Sequence, residues 1–518
     1  MRDEESHLNE SLRKIVKGAG IGFIGTFIGL GLGYLSRMII GRFLGAGDYG
    51  LICLGFAAMS IGITLSLVGL PSGVIRYVSF YKGKSDAGRI KGTIIGALRI
   101  SIPLSLIFAI TFFFGANWIC CNVFHEPDLT PVLKIFSMAI PFYVSAQIFL
   151  SALIGFQYIQ YPVYTEHLFQ NIIKIVAIVL LLALGFGVLG AAWGWVLAIV
   201  LMPFLALYFL KKRVFSLLST NVKMVSVDKE LFLFSLPLVL AGIAGMITAW
   251  TDTLMLGYFS TASDVGVYNA ALPTARLLMV VGGSFGTIFM PVLTELYGKE
   301  KLGDLGYIYS AVTKWVLSLT FPAFLLMFLF SKFVIKIMFG DEFTTGATAL
   351  SILSFAFLIT SVMRPTDRIL EVIGRTKIIM LCGFFVAALN VILNFFLIPG
   401  YGINGAALAT AISLVSGAVL SFMVVYHITR VQPFKLNHLK PIFSSILAVS
   451  VVYAIAKYIV GVTLTSMVIM LPVFLTLYFF VLLVMKGFEE EDLTIMRAID
   501  ERLGTRSDMV RAIIRRFL

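Results

Sequence analysis

The sequence predicts an all-α integral membrane protein of about fourteen transmembrane helices. These are expected to form two parallel six-helix lobes, related by a pseudo-two-fold axis along the membrane normal, with two further helices at the C-terminal end. Hydrophobic residues make up 59% of the 518 positions and charged residues only 13%, whereas soluble domains carry about 25% charge. The apolar runs reach the roughly 20 residues that a helical span needs. A motif of the first half also recurs in the second half.

Two motifs carry the internal repeat. Residues 41–50 read G-R-F-L-G-A-G-D-Y-G and residues 257–266 read G-Y-F-S-T-A-S-D-V-G, so Gly, Phe, Ala, Asp and Gly recur at corresponding places. The Gly-rich segment 185–192 recurs in the same way as 400–407. Both motifs indicate a duplicated unit of six predicted spans. Because six is even, the two copies are predicted to be parallel, as in several transporter architectures.

Gly and Pro residues separate the apolar runs and set the predicted boundaries. The predicted spans lie at 18–42, 51–78, 92–118, 131–153, 163–184, 188–210, 232–257, 266–292, 306–331, 346–364, 377–398, 403–427, 440–460 and 464–485. The predicted domains are residues 1–215 for the first lobe, 216–430 for the second lobe, 431–486 for spans 13 and 14, and 487–518 for a cytoplasmic amphipathic tail. That tail is expected either to lie on the anionic inner leaflet or to be a solvated helix.

Positive residues predict the orientation. The loops after spans 2, 6, 10 and 12 are rich in Lys and Arg, and such loops stay in the cytoplasm. We therefore expect a multi-pass protein of the cytoplasmic membrane with both termini in the cytoplasm. The net charge of +13 is spread through short loops, which favours lipid headgroups as partners over nucleic acid.

The sequence predicts no enzyme, no cofactor and no metal site. It contains none of the metalloprotease, serine-hydrolase or P-loop motifs. The four cysteines have neither CxxC nor Cys/His spacing, so they are predicted to be packing residues: Cys53, Cys120, Cys121 and Cys382.

Charges inside the predicted spans are the candidate functional residues, because a charge near the bilayer centre costs about 2.5–3.5 kcal/mol on insertion scales. Lys174 in span 5 and Arg276 in span 8 are predicted to lie near the midplane and to line a cavity. Arg37 and Asp252 lie at matching levels of spans 1 and 7, where they are predicted either to form an inter-lobe ion pair or to contact substrate. Arg76 is close enough to the end of span 2 to snorkel.

The sign of the deep charges predicts the ligand. Glu166, Gln170 and Lys174 are spaced to share one face of an α-helical span 5. Arg99 and Lys314, at equivalent depths of spans 3 and 9, are expected either to snorkel or to line the cavity. With them included, five deep cations face two deep acids. A cavity with that excess suits an anionic group such as phosphate or pyrophosphate.

Several segments resemble polysaccharide exporters of the multidrug/oligosaccharidyl-lipid/polysaccharide superfamily. They are F-S-L-P-L-V-L-A-G from Phe234, T-D-T-L-M-L-G-Y-F from Thr251, N-V-I-L-N-F-F-L-I-P-G-Y-G-I-N-G-A-A from Asn390 and G-L-P-S-G-V-I-R-Y-V-S from Gly69. Within this superfamily, the chain resembles the Wzx-type flippases and their archaeal and sporulation relatives, which move polyprenyl-linked sugar intermediates from the inner to the outer leaflet. The resemblance implies that cations on spans 1, 2, 7 and 8 meet the lipid pyrophosphate. Arg37, Arg76 and Arg276 match those positions, whereas span 7 carries Asp252. The resemblance also implies that spans 13 and 14 form a groove for the polyprenyl tail.

The predicted function is therefore a transporter that flips polyprenyl-(pyro)phosphate-linked glycans by alternating access. One alternative is a MATE-type drug/cation antiporter, in which acids should dominate the cleft. Another is a membrane-embedded glycosyltransferase, which would need a large catalytic loop. The predicted substrate-binding residues are the cations of the cleft: Arg37, Arg76, Lys174 and Arg276. The predicted ion-coupling or gating residues are the two acids: Glu166 and Asp252.

Expected partners are the glycan lipid, membrane lipids, a coupling ion that is either H+ or Na+, and the enzymes that assemble the glycan. The chain is expected to be a monomer that binds no nucleic acid.

Overall fold

A computed structural model describes residues 2–215, 223–456, 458, 464–489 and 492–493, and the regular structure within them is helical. The chain packs as two compact units, Met1–Ala270 and Ala271–Leu518, and the division falls within helix α9. The predicted lobe boundaries remain a prediction. The helices are α1 (Arg2–Leu67), α2 (Leu70–Gly83), α3 (Ala87–Asn122), α4 (Leu129–Gly155), α5 (Gln160–Pro162), α6 (Gln170–Ala183), α7 (Gly187–Phe209), α8 (Asp228–Phe259), α9 (Ala262–Arg276), α10 (Met279–Gly298), α11 (Leu302–Leu329), α12 (Ser331–Phe339), α13 (Ala347–Val372), α14 (Thr376–Thr429), α15 (Leu439–Ile455) and α16 (Leu464–Val484).

Among the described residues, ten helices are long and apolar enough to cross a membrane, or eleven when the bent pair α9 and α10 counts as one span. Two of these helices each hold two predicted spans, because the backbone leaves helical geometry at Gly45 (φ 81°) in α1 and at Gly402 (φ 52°) in α14. A positive φ strains residues with a Cβ atom, so glycine occupies both turns. The shorter apolar stretch Ile469–Val484 coincides with the last predicted span. The predicted all-α membrane fold is confirmed.

Within the first unit, the two copies of the repeated motif pack directly on each other. A Cβ atom added to Gly50 would lie 1.7 Å from the carbonyl oxygen of Ala262. A Cβ atom added to Gly266, the repeat counterpart of Gly50, would lie 2.0 Å from the carbonyl oxygen of Ala46. The contact is reciprocal, as expected of two copies related by a two-fold axis. It requires glycine at both positions because backbone touches backbone.

Within the second unit, α11 packs against the C-terminal helices α15 and α16. Phe330, Val452, Phe474 and Tyr478 belong to one buried apolar cluster at this contact. An apolar cavity of about 290 Å³ lies beside the cluster, lined by residues of α11, α12, α15 and α16.

Two further sequence predictions concern the cysteines and the tail. All four cysteines lie in the described part of the chain and are free, and Cys53, Cys120 and Cys382 are buried. Of the predicted tail 487–518, only residues 487–489, 492 and 493 are described. The predicted amphipathic helix otherwise lies outside the described residues.

Candidate functional site

Span 5 has an irregular backbone that brings it against span 1. A π-helix, Val163–Phe169, separates α5 from α6. Two glycines of α1 face it: a Cβ atom added to Gly25 would lie 2.1 Å from Val163 Cγ1, and one added to Gly29 would lie 2.5 Å from His167 Cβ. π-Helical turns are rare and are frequent at functional sites. The local geometry therefore singles out this part of the first unit.

The π-helix corrects one sequence prediction. The single polar face proposed for Glu166, Gln170 and Lys174 assumed a regular α-helix, and that assumption is wrong because Glu166 lies inside the wider π-helical turn. Glu166 accepts a hydrogen bond from Gln147 Nε2 of α4 at 3.3 Å. Lys174 lies further along, in α6.

Lys174 is a buried cation held by neutral groups. Its side chain is only 6% exposed. The ammonium donates to Asn171 Oδ1 at 2.9 Å and lies 4.9 Å from the ring centroid of Trp195, a cation–π contact. Asn171 Nδ2 donates to the carbonyl oxygen of His167 at 2.8 Å, which turns the amide oxygen toward Lys174. Among the side chains that the structure describes, no carboxylate pairs with Lys174.

Arg37 is a second cation at the same place. It is close enough to Lys174 for the two charges to repel each other. Its guanidinium hydrogen-bonds Tyr49, and the Tyr49 hydroxyl donates to the carbonyl oxygen of Asn269 at 3.2 Å. Tyr49 belongs to the repeated motif, so the packing of the two motif copies also orients Arg37.

Asp252 has a partner of its own. It is 4% exposed, and it accepts a hydrogen bond from the Tyr268 hydroxyl at 2.5 Å. Next to it, Asn269 Nδ2 donates to Thr253 Oγ1 at 3.1 Å. The sequence left open whether Arg37 and Asp252 pair or contact substrate. The contacts described here give each of them a tyrosine partner, and the question stays open.

The other two predicted cations lie where spans are interrupted. Arg76 is exposed on α2, just after span 2 breaks at Val68 and Gly69, which both have positive φ. Its guanidinium lies 4.2 Å from the ring centroid of Phe234. Arg276 is exposed at the end of α9, where span 8 bends by 40° before α10 continues. Spans 2 and 8 are repeat counterparts, so both copies of the unit break the same span.

The contacts of Lys314 change the predicted count of deep cations. Its ammonium lies 2.6 Å from Asp492 Oδ2 and 3.0 Å from Glu489 Oε2, so it is neither snorkelling nor an uncompensated cation of the cavity. The acids follow the last helix and are far from Lys314 in sequence, which is why span-by-span reasoning missed them. Arg99, its repeat counterpart, is exposed.

Sequence reasoning found the charged members of the site and missed the neutral ones. The missed residues are those that hold the charges in place: Tyr49, Asn171, Trp195 and Tyr268. Two signals were available, since Tyr49 stands inside the repeated motif and Asn171 is one helical turn before Lys174. Among the described residues, no group of three or more His, Cys, Asp or Glu could hold a metal ion.

A duplicated helical unit with interrupted spans and buried charges defines a class, the membrane transporters built from structural repeats. The comparisons with known proteins narrow this class. The model of the polysaccharide biosynthesis protein family matches residues 15–297, and the MatE model matches residues 237–396. The chain belongs to the polysaccharide biosynthesis protein family, whose model covers more than half of it. The predicted membership of the multidrug/oligosaccharidyl-lipid/polysaccharide superfamily is confirmed.

Individual proteins agree with this assignment. An uncharacterized membrane protein of Methanocaldococcus jannaschii is 26% identical over 412 residues, which are 77% of this chain and 81% of the relative. The probable low-salt glycan biosynthesis flippase Agl15 of Haloferax volcanii is 30% identical over 207 residues, 40% of this chain and 44% of the relative. The solved structure of the lipid II flippase MurJ in an inward closed conformation has a TM-score of 0.71, covers 88% of this chain and 97% of its own, and is 17% identical. This last likeness concerns the fold.

Proposed function

We propose that this chain is a flippase that moves polyprenyl-(pyro)phosphate-linked glycans across the cytoplasmic membrane by alternating access. The family assignment and the flippase named among the relatives support a transporter of lipid-linked glycans over a drug antiporter.

The observation that carries the proposal is the pair of cations at Lys174 and Arg37. A buried charge loses its hydration at a cost of several kcal/mol unless a partner compensates it. Lys174 has one amide and one aromatic ring as described partners, and a second cation nearby adds repulsion. An anionic ligand would relieve both effects. Lys174 and Arg37 are thus proposed to bind the phosphate or pyrophosphate of the lipid.

Arg76 and Arg276 are proposed to complete the binding of the anionic headgroup. Interrupted helices in corresponding places of two repeats mark substrate sites in many transporters, because the free backbone groups and helix ends line a cavity. Arg276 ends the helix before its break, and Arg76 lies about two turns after the break in span 2. Each guanidinium also contacts an aromatic ring, Phe234 for Arg76 and Phe357 for Arg276.

The lipid tail is proposed to lie against α15 and α16, the helices of predicted spans 13 and 14. The apolar cavity of about 290 Å³ beside them supports this placement. Its lining includes Leu326, Phe330, Val452 and Phe474. Such an apolar surface can contact a hydrocarbon chain, and its lining residues have no polar side chains that could hydrogen-bond a sugar.

Glu166 and Asp252 are the proposed ion-coupling or gating residues, with H+ or Na+ as the ion. Glu166 accepts a hydrogen bond from an amide and Asp252 from a hydroxyl, and a carboxylate in such neutral surroundings can take up a proton or a small cation. The drug/cation antiporter is the second candidate, favoured by the MatE match over residues 237–396. The charge described beside Lys174 is a second cation, Arg37, and not an acid, which argues against the antiporter.

The test uses the full chain reconstituted in vesicles with a fluorescent polyprenyl-pyrophosphate oligosaccharide. Lys174→Met and Arg276→Ala should each lower the flipping rate by at least about tenfold, since a lost charged hydrogen bond is worth roughly 1.5–3 kcal/mol. Arg99→Met is the matched control because it removes an exposed cation of span 3. Wild-type rates in both site variants would refute the cationic site.

A binding measurement separates the two candidates. A ligand that binds only the folded state raises the unfolding temperature. We expect the glycan lipid to stabilise the detergent-purified protein and Lys174→Met to abolish that effect. Stabilisation by ethidium alone would favour the antiporter.

The remaining expectations are proposals of the same kind. They are that the termini face the cytoplasm, that the chain acts as a monomer beside glycan-assembly enzymes, and that it transports its substrate without modifying it. The positive loops support the orientation. Accessibility of single introduced cysteines to a membrane-impermeant reagent would test it.

A further inference from the structure

The short segment after α16 is tied to the middle of the second unit by a buried ion cluster. Lys314 of α11 is 4% exposed and Asp492 is 1% exposed. Lys314 Nζ donates to Asp492 Oδ2 at 2.6 Å and to Glu489 Oε2 at 3.0 Å. A cation of α11 thus meets two acids from beyond α16, and the Lys314–Asp492 pair has little access to water, whereas the Glu489 side chain is 35% exposed.

Every acceptor of the buried carboxylate has a described donor. Asp492 Oδ1 accepts from Trp315 Nε1 at 2.8 Å, and Asp492 Oδ2 accepts from the backbone N–H of Glu489 at 2.8 Å as well as from Lys314. The other oxygen of Glu489 accepts from Asn437 Nδ2, in the turn before α15. A buried ionic network is stable only when it is satisfied to this degree. The cluster is therefore a built contact that joins α11, the start of α15 and the end of α16.

Two further hydrogen bonds lie along the contact between these helices. The Tyr478 hydroxyl of α16 donates to the carbonyl oxygen of Ser318 in α11 at 2.8 Å. Lys440 Nζ of α15 donates to the carbonyl oxygen of Lys486, just after α16, at 2.8 Å. Lys314 and Leu326 are twelve residues apart on α11, about 18 Å at helical rise. The ion cluster thus lies at one end of the contact between α11 and the helices α15 and α16, and the apolar cavity lies at the other end.

The internal repeat provides a natural comparison. Lys314 of the second copy corresponds to Arg99 of the first, and Arg99 is exposed. A cation at this depth therefore does not need a carboxylate partner for the helix to form. The carboxylate partners of Lys314 come from the segment after α16, which only the second copy carries.

We propose that Lys314, Glu489 and Asp492 form an electrostatic clasp that positions α15 and α16 against α11. The clasp holds the two added helices in register with the second copy of the repeat, so it sets the width of the apolar cavity between them. Its role in holding the lipid tail rests on the proposed function. Its role in fixing the segment after α16 does not.

The test compares a neutral single variant, a neutral double variant and a charge-conserving variant of the full chain. Lys314→Met alone leaves two acids uncompensated and should lower both stability and flipping. Adding Asp492→Asn removes the unpaired buried charge, so stability should recover. The ionic attraction is still absent, and the segment should stay loose. Lys314→Arg keeps a cation beside both acids and leaves the other donors to Asp492 in place, so it should keep the clasp.

Trypsin cleavage after Lys486 reports the clasp directly, since that bond lies between α16 and Glu489. We expect the neutral double variant to be cleaved at least about tenfold faster than wild type, and Lys314→Arg at close to the wild-type rate. Arg99→Met is the control and should leave cleavage unchanged. Flipping should follow the same order.

Slow cleavage in the neutral double variant would overturn the clasp, and full flipping together with fast cleavage would overturn its role in transport. The first would mean that apolar packing alone fixes the segment, and the second that positioning by the cluster is irrelevant to transport. If wild type itself flips no lipid, the proposed function fails, and the cleavage rates still decide whether the clasp exists.

Discussion

Replacing Gly50 with alanine tests the contact between the two copies of the repeat. The added Cβ atom would lie 1.7 Å from the carbonyl oxygen of Ala262 and 3.0 Å from the backbone nitrogen of Gly266. All the obstructing atoms are backbone, so no side chain can rotate away. The two segments would have to separate.

The size of the effect follows from two opposing terms. Ordinary contact begins at 3.4 Å, so the backbones must part by about 1.7 Å, and overpacking of a tight contact costs about 1–3 kcal/mol or more. Alanine in place of a helical glycine gains up to about 1 kcal/mol. The variant Gly47→Ala measures the gain from alanine alone, because nothing lies within 4 Å of a Cβ atom added at Gly47. The gain is common to both variants and cancels, so we expect Gly50→Ala to be less stable than Gly47→Ala by about 1–3 kcal/mol or more.

The assay is thermal or denaturant unfolding of the detergent-purified full chain, with Gly266→Ala as a second variant of the same contact. Gly50→Ala and Gly266→Ala should behave alike because their contacts are reciprocal. If Gly50→Ala proves as stable as Gly47→Ala, the two motif copies do not pack backbone to backbone, and the account of the repeat is wrong.

Two further predictions concern the span 1 contact and the clasp. Gly29→Ala should lower stability and flipping because its Cβ atom would lie 2.5 Å from that of His167, whereas Gly31→Ala has nothing within 4 Å and should do neither; equal behaviour of the two variants would count against the contact. Burial acts to raise the pKa of the Glu489 carboxyl, but the hydrogen bond and charge of Lys314 outweigh it and hold the pKa below its ordinary value of 4.5. A carboxyl whose pKa is depressed in the folded state stabilises the fold at pH values above its ordinary pKa, and this contribution is lost as pH falls through the folded-state pKa. Wild type should therefore be more stable than Glu489→Gln at neutral pH and should lose that advantage in acid. An advantage that persists in acid would contradict the ion pair.

The class and the span positions follow from the sequence because the bilayer imposes a one-dimensional rule. A helix must satisfy its own backbone in lipid, and about 20 apolar residues are needed to cross. Each predicted span overlaps a described helix, and the turns at Gly45 and Gly402 fall between predicted spans. The duplicated motif could also be found from the sequence, since its glycines recur at matching positions.

Only part of the candidate site could be predicted from the sequence. Lys174, Arg37, Arg276 and Asp252 stand out because charge in an apolar run is costly wherever it lies. The π-helix of span 5 is invisible to a pattern search that assumes a fixed period, so the face shared by Glu166 and Lys174 was misjudged.

By itself, the sequence determined what each segment must do alone: cross the bilayer, turn at a glycine, or carry a charge at a given depth. Only the tertiary structure decided which groups meet. Lys174 and Lys314 look alike in sequence, each a lone cation inside a span, yet Lys174 faces an amide and an indole while Lys314 lies between two carboxylates from beyond α16. The reason is physical. The cost of burying a charge depends on local depth, but its compensation depends on partners that chain folding brings from anywhere along the sequence.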